Sequence, residues 1–289
     1  MMNQILEDIV AAIQLRDATA VYDLLSQNKK THLTEDDIYS FLTINSKSIP
    51  ISKAYTVCGS GGSMIPKPNI SSLACLYLSC CNLPILKVGS GKQTSLFGSS
   101  DFFDCYGLTN KYIVNDNIHF AYYDVETVKP WFKYRHLLPM NECFRVFFEK
   151  HIFNEIEYLG KFVGCLGSSK RSAYMKKDSG IPKERIHMCY SFVNGFVIDE
   201  IVGEECYVDG SRMHFQHTGN YSPLTKKDII EIDDALFKGH CDNGLWYHSL
   251  RDTVSMALTF FKEEPLSNAY REFDNIYESG GAAAVFNKQ

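Results

Sequence analysis

The chain has 289 residues, 45% hydrophobic and 22% charged, a balance that suits a folded globular protein and excludes intrinsic disorder. At roughly 150 residues per domain there is room for two domains or one large α/β unit. Lys and Arg number 29 against 34 Asp and Glu, so a net charge of −5 creates no overall attraction to nucleic acid or anionic membrane.

The most apolar stretch, Leu73 to Leu86, is too short for a membrane-spanning helix and contains Asn82 and Pro84. The opening MMNQILEDIVAAIQLRD has acidic residues within its apolar pattern and no basic leader, unlike a signal peptide. Ten scattered cysteines form no C-x-x-C pair, and most sit in apolar runs, as buried thiols do in a reducing cytosol. The expectation is a soluble cytoplasmic protein.

Residues 3–26 carry Ile5, Ile9, Ile13, Val21, Leu24 and Leu25 at helical spacing. Thr34 reads as an N-cap with Asp37 as its capping-box partner, and Leu33 with Ile38 as a hydrophobic staple. The first fifty residues, which lack glycine, are expected to be helical. From Pro50 the texture changes. Ala54 to Cys58 reads as a strand entering Gly59-Ser60-Gly61-Gly62, an apolar helix follows Asn69 and runs to about Cys81, and Leu83 to Val88 is a second strand. Gly98-Ser99-Ser100-Asp101 caps another helix, and Ile118 to Tyr122 is a third strand. Val128 to about Val163 reads as helices rich in aromatic and basic residues. Strand character resumes at Arg185 to Tyr190, then as a hairpin of Glu205–Val208 and Arg212–His217 around Asp209-Gly210; from Asp228 onward the chain is mainly helical.

The expected fold class is α/β, a small all-helical domain plus a large α/β domain with a central, mainly parallel sheet. The small domain is discontinuous, 1–52 and 128–165, and the large one comprises 53–127 and 166–289.

Three glycines in four residues after a strand let the backbone approach a ligand and aim N–H groups at an anion. The helix beginning near Ser71-Ser72 adds its positive end, Lys87 closes the next strand, and Gly89 and Gly91 make a second loop. A phosphate or pyrophosphate is the natural guest, although GSGG is neither a P-loop nor a G-x-G-x-x-G motif. Asp199-Glu200 follows the apolar run Phe196 to Ile198, and adjacent carboxylates of this kind suit Mg²⁺ shared with substrate phosphates.

In order and spacing, Gly59-Ser60-Gly61-Gly62, Asn69-Ile70-Ser71-Ser72, Lys87-x-Gly89 and Ser95-x-x-Gly98-Ser99-Ser100-Asp101 resemble the GTGGD, NIST, KHGN and SS…GSAD signature of the anthranilate phosphoribosyltransferase family. Asp199-Glu200-Ile201 is similar to that family's DEI segment, and 273–282 to its C-terminal helix. The resemblance implies phosphoribosyl pyrophosphate (PRPP) and Mg²⁺ bound between a helical and an α/β domain. It implies Gly59, Ser60, Gly61 and Gly62 around the pyrophosphate, Asn69, Ser72 and Ser95 on the donor, and Lys87 neutralising pyrophosphate. It further implies Ser71 on a first Mg²⁺, Asp199 and Glu200 on a second, Arg135 on the acceptor, and a homodimer through the helical domain. The chain departs from the pattern at Ser63 for the GTGGD aspartate, at Val88 and Ser90 in KHGN, and across 142–150, where the acceptor segment has no recognisable motif.

The reading is a phosphoribosyltransferase whose catalytic groups are Lys87, Asp199 and Glu200. Its acceptor is not anthranilate but a hydroxyl or amine of a specialised metabolite, for instance an aminocyclitol. The alternatives are a non-catalytic nucleic-acid-binding relative, anthranilate phosphoribosyltransferase proper, and a nucleoside phosphorylase. His214 and His217, three apart on a strand, point to opposite faces and make no metal site. His240-Cys241 lacks the partners of a thiol protease. Trp131 to His136 mixes aromatic and basic residues as a nucleic-acid surface does, and is read instead as lining the acceptor mouth or packing the small domain; Phe144, Phe147 and Phe148 belong to its core or to a subunit contact.

Overall fold

The computed structural model describes residues 3–43, 47, 49–59, 63, 65–91, 96–134, 136–147, 157–165, 182–215, 220–241 and 244–287. The chain divides into two compact units, one formed by Met1–Pro50, Asp124–Ile156 and Asp178–Gly180, the other by Ile51–Tyr123, Glu157–Lys177 and Ile181–Gln289.

The first unit is helical, with helices at Gln4–Gln14, Ala18–Gln27, Glu35–Thr43 and Glu142–Phe147 and two 3₁₀ turns at Pro130–Tyr134 and Leu138–Met140. The expected capping box forms. Asp37 N–H donates to Thr34 Oγ1 at 3.1 Å, Thr34 N–H to Asp37 Oδ2 at 2.9 Å, and Leu33 and Ile38 are buried. Trp131 and Tyr134 belong to this unit's core with Leu6, Ile9, Phe41 and Phe144, and Trp131 Nε1 donates to the Leu42 carbonyl at 2.9 Å. The aromatic stretch from Trp131 therefore packs the small core. Phe148 and His217 lie outside the described residues, as does the side chain of Phe147.

The second unit is built on nine strands: β1 (Lys53–Gly59), β2 (Ile85–Gly89), β3 (Lys111–Asn115), β4 (Ile118–Asp124), β5 (Glu157–Gly164), β6 (Ile186–Val193), β7 (Phe196–Ile198), β8 (Glu205–Val208) and β9 (Ser211–Met213). Their order is β3-β4-β2-β1-β5-β6-β8-β9, with β7 also on β6. The centre is parallel, since β1 runs parallel to β2 and β5, and β5 to β6; the β3–β4 and β6–β9 margins are antiparallel hairpins. The fold class is thus α/β with a helical part, as the periodicity indicates.

One expected element is replaced. The helical pattern read through Val163 gives way at Glu157 to β5, which lies between β1 and β6. Tyr158, Gly160 and Phe162 alternate with less buried neighbours at period two, and glycines at 160 and 164 disfavour a helix. The short strand β3 is likewise absent from the sequence pattern; its mostly exposed residues carry no apolar alternation.

Helix Ile70–Cys80 joins β1 to β2 and is buried along nearly its whole length, under helices Leu245–Lys262 and Leu266–Glu278. Among the described residues no helix is long and apolar enough to cross a membrane, and none of the ten cysteines is in a disulfide.

Candidate functional site: a lysine-bridged carboxylate pair beside a helix N-terminus

The site gathers at the C-terminal ends of β1, β2 and β7. Asp199 and Glu200 follow β7, which turns back on β6 through Asn194 and Gly195, both at positive φ (51° and 80°) as a two-residue hairpin turn requires. Ser191 of β6 fixes the outgoing chain: its hydroxyl donates to the Glu200 carbonyl at 2.7 Å and accepts from Val202 N–H at 2.9 Å. On the other side a Cβ at Gly164, the last residue of β5, would collide with the Asp199 carbonyl oxygen, so only glycine admits the backbone so close. Both carboxylates end up 2% exposed.

Their charge is met by Lys67, from the loop between β1 and the next helix. Lys67 Nζ lies 2.7 Å from Glu200 Oε1 and 3.4 Å from Asp199 Oδ1, with 16% of its side chain exposed. Ser63, in the aspartate position of the resembled motif, donates its hydroxyl to Asp199 Oδ1. Burial raises the Glu200 carboxyl above the ordinary range, Lys67 opposes that, and the neighbouring Asp199 adds to it. For Lys67, burial works against the charge, but Asp199 and Glu200 outweigh it and hold the ammonium above the usual lysine value.

The helix N-terminus forms the adjoining part. Asn69 is the N-cap of Ile70–Cys80, yet its side chain makes no capping bond. Instead Asn69 N–H and Nδ2 both donate to Asp233, at 2.8 Å each. Asp233 lies on the helix Lys226–Phe237, which is stopped at its own start by a Thr225–Asp228 capping box. Burial pushes the Asp233 carboxyl up to about 7, against the pull of the two Asn69 bonds and of Lys67. Lys87, 2% exposed, donates to the Val57 carbonyl at 2.9 Å and to Ser71 Oγ at 3.0 Å, tying both strands to the helix start. Ser72 Oγ donates to Ser99 Oγ at 3.1 Å, and at Gly89 a Cβ would stand 2.8 Å from Ser99 Cβ.

Asn69, Ser71, Ser72 and Lys87 therefore meet at one helix end, and Gly59 closes β1 beside Gly164 in register. Ser60, Gly61, Gly62, Ser95 and Arg135 lie outside the described residues. Sequence reasoning missed Lys67, Asp233 and Gly164. Asp233 reads as one more acid on an amphipathic helix, and Gly164 carries no motif. A lysine between Pro66 and Pro68, in a loop bound for the core, was a usable signal for Lys67.

The donor set does not fit a divalent ion on the carboxylate pair. A Mg²⁺ ion wants open, anionic oxygens. Here the pair already holds an ammonium and a hydroxyl, and Ser71 Oγ already accepts from Lys87. Among the described residues no group of three or more His, Cys, Asp and Glu side chains could hold a metal.

No protein-family profile and no curated sequence matches the chain. Solved structures do. The anthranilate phosphoribosyltransferase of Saccharomyces cerevisiae in complex with PRPP and Mg is 15% identical, with a TM-score of 0.66 over 96% of this chain and 88% of that one. The fold is that of the anthranilate phosphoribosyltransferases. The Thermus thermophilus enzyme agrees at 15% identity and a TM-score of 0.61, over 97% of this chain and 98% of its own. A Ser121Ala variant of the yeast enzyme with Mg bound gives 14% and 0.57 over 96% and 88%. The resemblance read from the motifs is thus matched by an anthranilate phosphoribosyltransferase fold along nearly the whole chain.

Proposed function

We propose that the chain is a phosphoribosyltransferase that takes 5-phosphoribosyl from PRPP to an acceptor other than anthranilate. The observation that carries the reading is the convergence of Lys87, Ser71, Ser72 and Asn69 on the N-terminus of an eleven-residue helix, on a fold whose solved examples include a PRPP complex. In the proposed reaction the C1–oxygen bond to pyrophosphate breaks as the acceptor attacks, through a ribosyl centre of oxocarbenium character. Charge grows on the leaving group, where the Lys87 ammonium and the positive end of the helix dipole stabilise it. Orientation of the acceptor supplies the rest of the barrier reduction. Mg²⁺ belongs to this reading as the counter-ion that pyrophosphate carries in. The acceptor departs from anthranilate because 142–150 retains no acceptor motif; a hydroxyl or amine of a specialised metabolite fits, and a hydroxyl would need a general base. The proposal includes a homodimer through the helical unit.

The test is calorimetric titration of the full chain with PRPP and Mg²⁺. Wild type should bind, and Lys87→Met should weaken binding about tenfold or more, the worth of a charge-assisted hydrogen bond. Folded wild type that ignores PRPP sinks the reading. One observation favours a non-catalytic relative instead, the engagement of both carboxylates by Lys67. That reading requires PRPP binding to be absent and single-stranded nucleic acid to bind in a salt-sensitive way.

A further inference from the structure

We propose that Lys67 is the resident cation of the Asp199–Glu200 pair and takes the place of a divalent ion there. The inference rests on the PRPP reading above and narrows it: donor binding does not use a metal held by these carboxylates.

Three observations carry it. Lys67 Nζ bridges the two side chains, 2.7 Å from Glu200 Oε1 and 3.4 Å from Asp199 Oδ1. Both acids are 2% exposed, and two buried carboxylates side by side demand a counter-charge. Ser63 spends its hydroxyl as a donor to Asp199, whereas an acid at that position would have added a third negative charge. Mg²⁺ would have to expel the Lys67 ammonium from a buried ion pair to enter. An ammonium also has three N–H donors. Two are aimed at the carboxylates, and among the described residues the third has no protein partner, which leaves it to meet an oxygen of an anionic ligand.

Mn²⁺ is the probe, counted by electron paramagnetic resonance on the full chain with saturating PRPP. Wild type and Asp199→Asn/Glu200→Gln should bind the same number of Mn²⁺ ions. Lys67→Ala should gain one site per chain, and the triple variant should lose that gain. A wild-type Mn²⁺ ion that disappears in Asp199→Asn/Glu200→Gln would overturn the proposal, as would a folded Lys67→Ala that gains none. Should Lys67→Ala fail to fold, wild type decides alone: with PRPP left out, Mn²⁺ must leave the backbone amide signals of Ser63 and Lys67 unbroadened, and their broadening refutes the assignment. PRPP binding is scored in the same samples without metal counting. Loss of the PRPP reading therefore shows as a missing donor isotherm, and loss of this inference as a metal on the pair.

Discussion

Asp233 shows how one buried side chain links the site to pH. Its carboxyl is raised to about 7 by burial, whereas an unfolded aspartate titrates near 4. Between those values the folded protein keeps a proton that the unfolded chain has lost, so stability falls as pH rises from about 4 to about 7 and levels off above. The slope from this one group is at most about 1.4 kcal/mol per pH unit. Asp233→Asn keeps an acceptor for Asn69 and removes the titration. Urea unfolding should show that variant with a flatter profile across this window; an unchanged slope would mean that Asp233 is ionised throughout. Because Asp233 holds Asn69, the same proton sits one hydrogen bond from the helix start that the proposed donor would occupy.

At the scale of elements, the site depends on how closely β5 and the chain after β7 can approach. Gly164 permits the contact, and a methyl group there would run into the Asp199 carbonyl. Gly164→Ala should destabilise the fold by about 1–3 kcal/mol, the usual cost of overpacking, and displace the carboxylate pair from Lys67. Thermal unfolding reads the first effect and PRPP calorimetry the second; wild-type values in both would show that the approach is slack. Local chemistry set several of these elements. The Thr34–Asp37 box and the Asp209-Gly210 turn were legible because caps and tight turns are determined by neighbours in sequence. The hairpin that delivers Asp199 carries an equally local signal in Asn194-Gly195. Strand β5 was not legible, since its alternation is interrupted by two glycines and its burial on both edges comes from β1 and β6.

At the scale of the whole molecule, the helical unit exposes Leu15, Tyr22 and Tyr39, at 80%, 49% and 47%. In the proposed homodimer through this unit, a second copy would cover side chains of this kind. Light scattering should give twice the 32.9 kDa chain mass, and Leu15→Glu should shift the protein toward monomer. A wild-type monomer at micromolar concentration would remove the homodimer from the proposal. By itself the sequence determined the α/β class, the helical opening and the order of the glycine, serine and lysine segments, because hydrophobic period, caps and glycine-rich turns act over a few residues. The tertiary structure alone decided which charges meet. Lys67 and Glu200 are 133 residues apart, and they are neighbours only because β5 enters the sheet between β1 and β6 and β7 folds back on β6. Adjacent acids read locally as a metal site. The long-range packing brought them an ammonium, because two carboxylates taken out of water need a counter-charge.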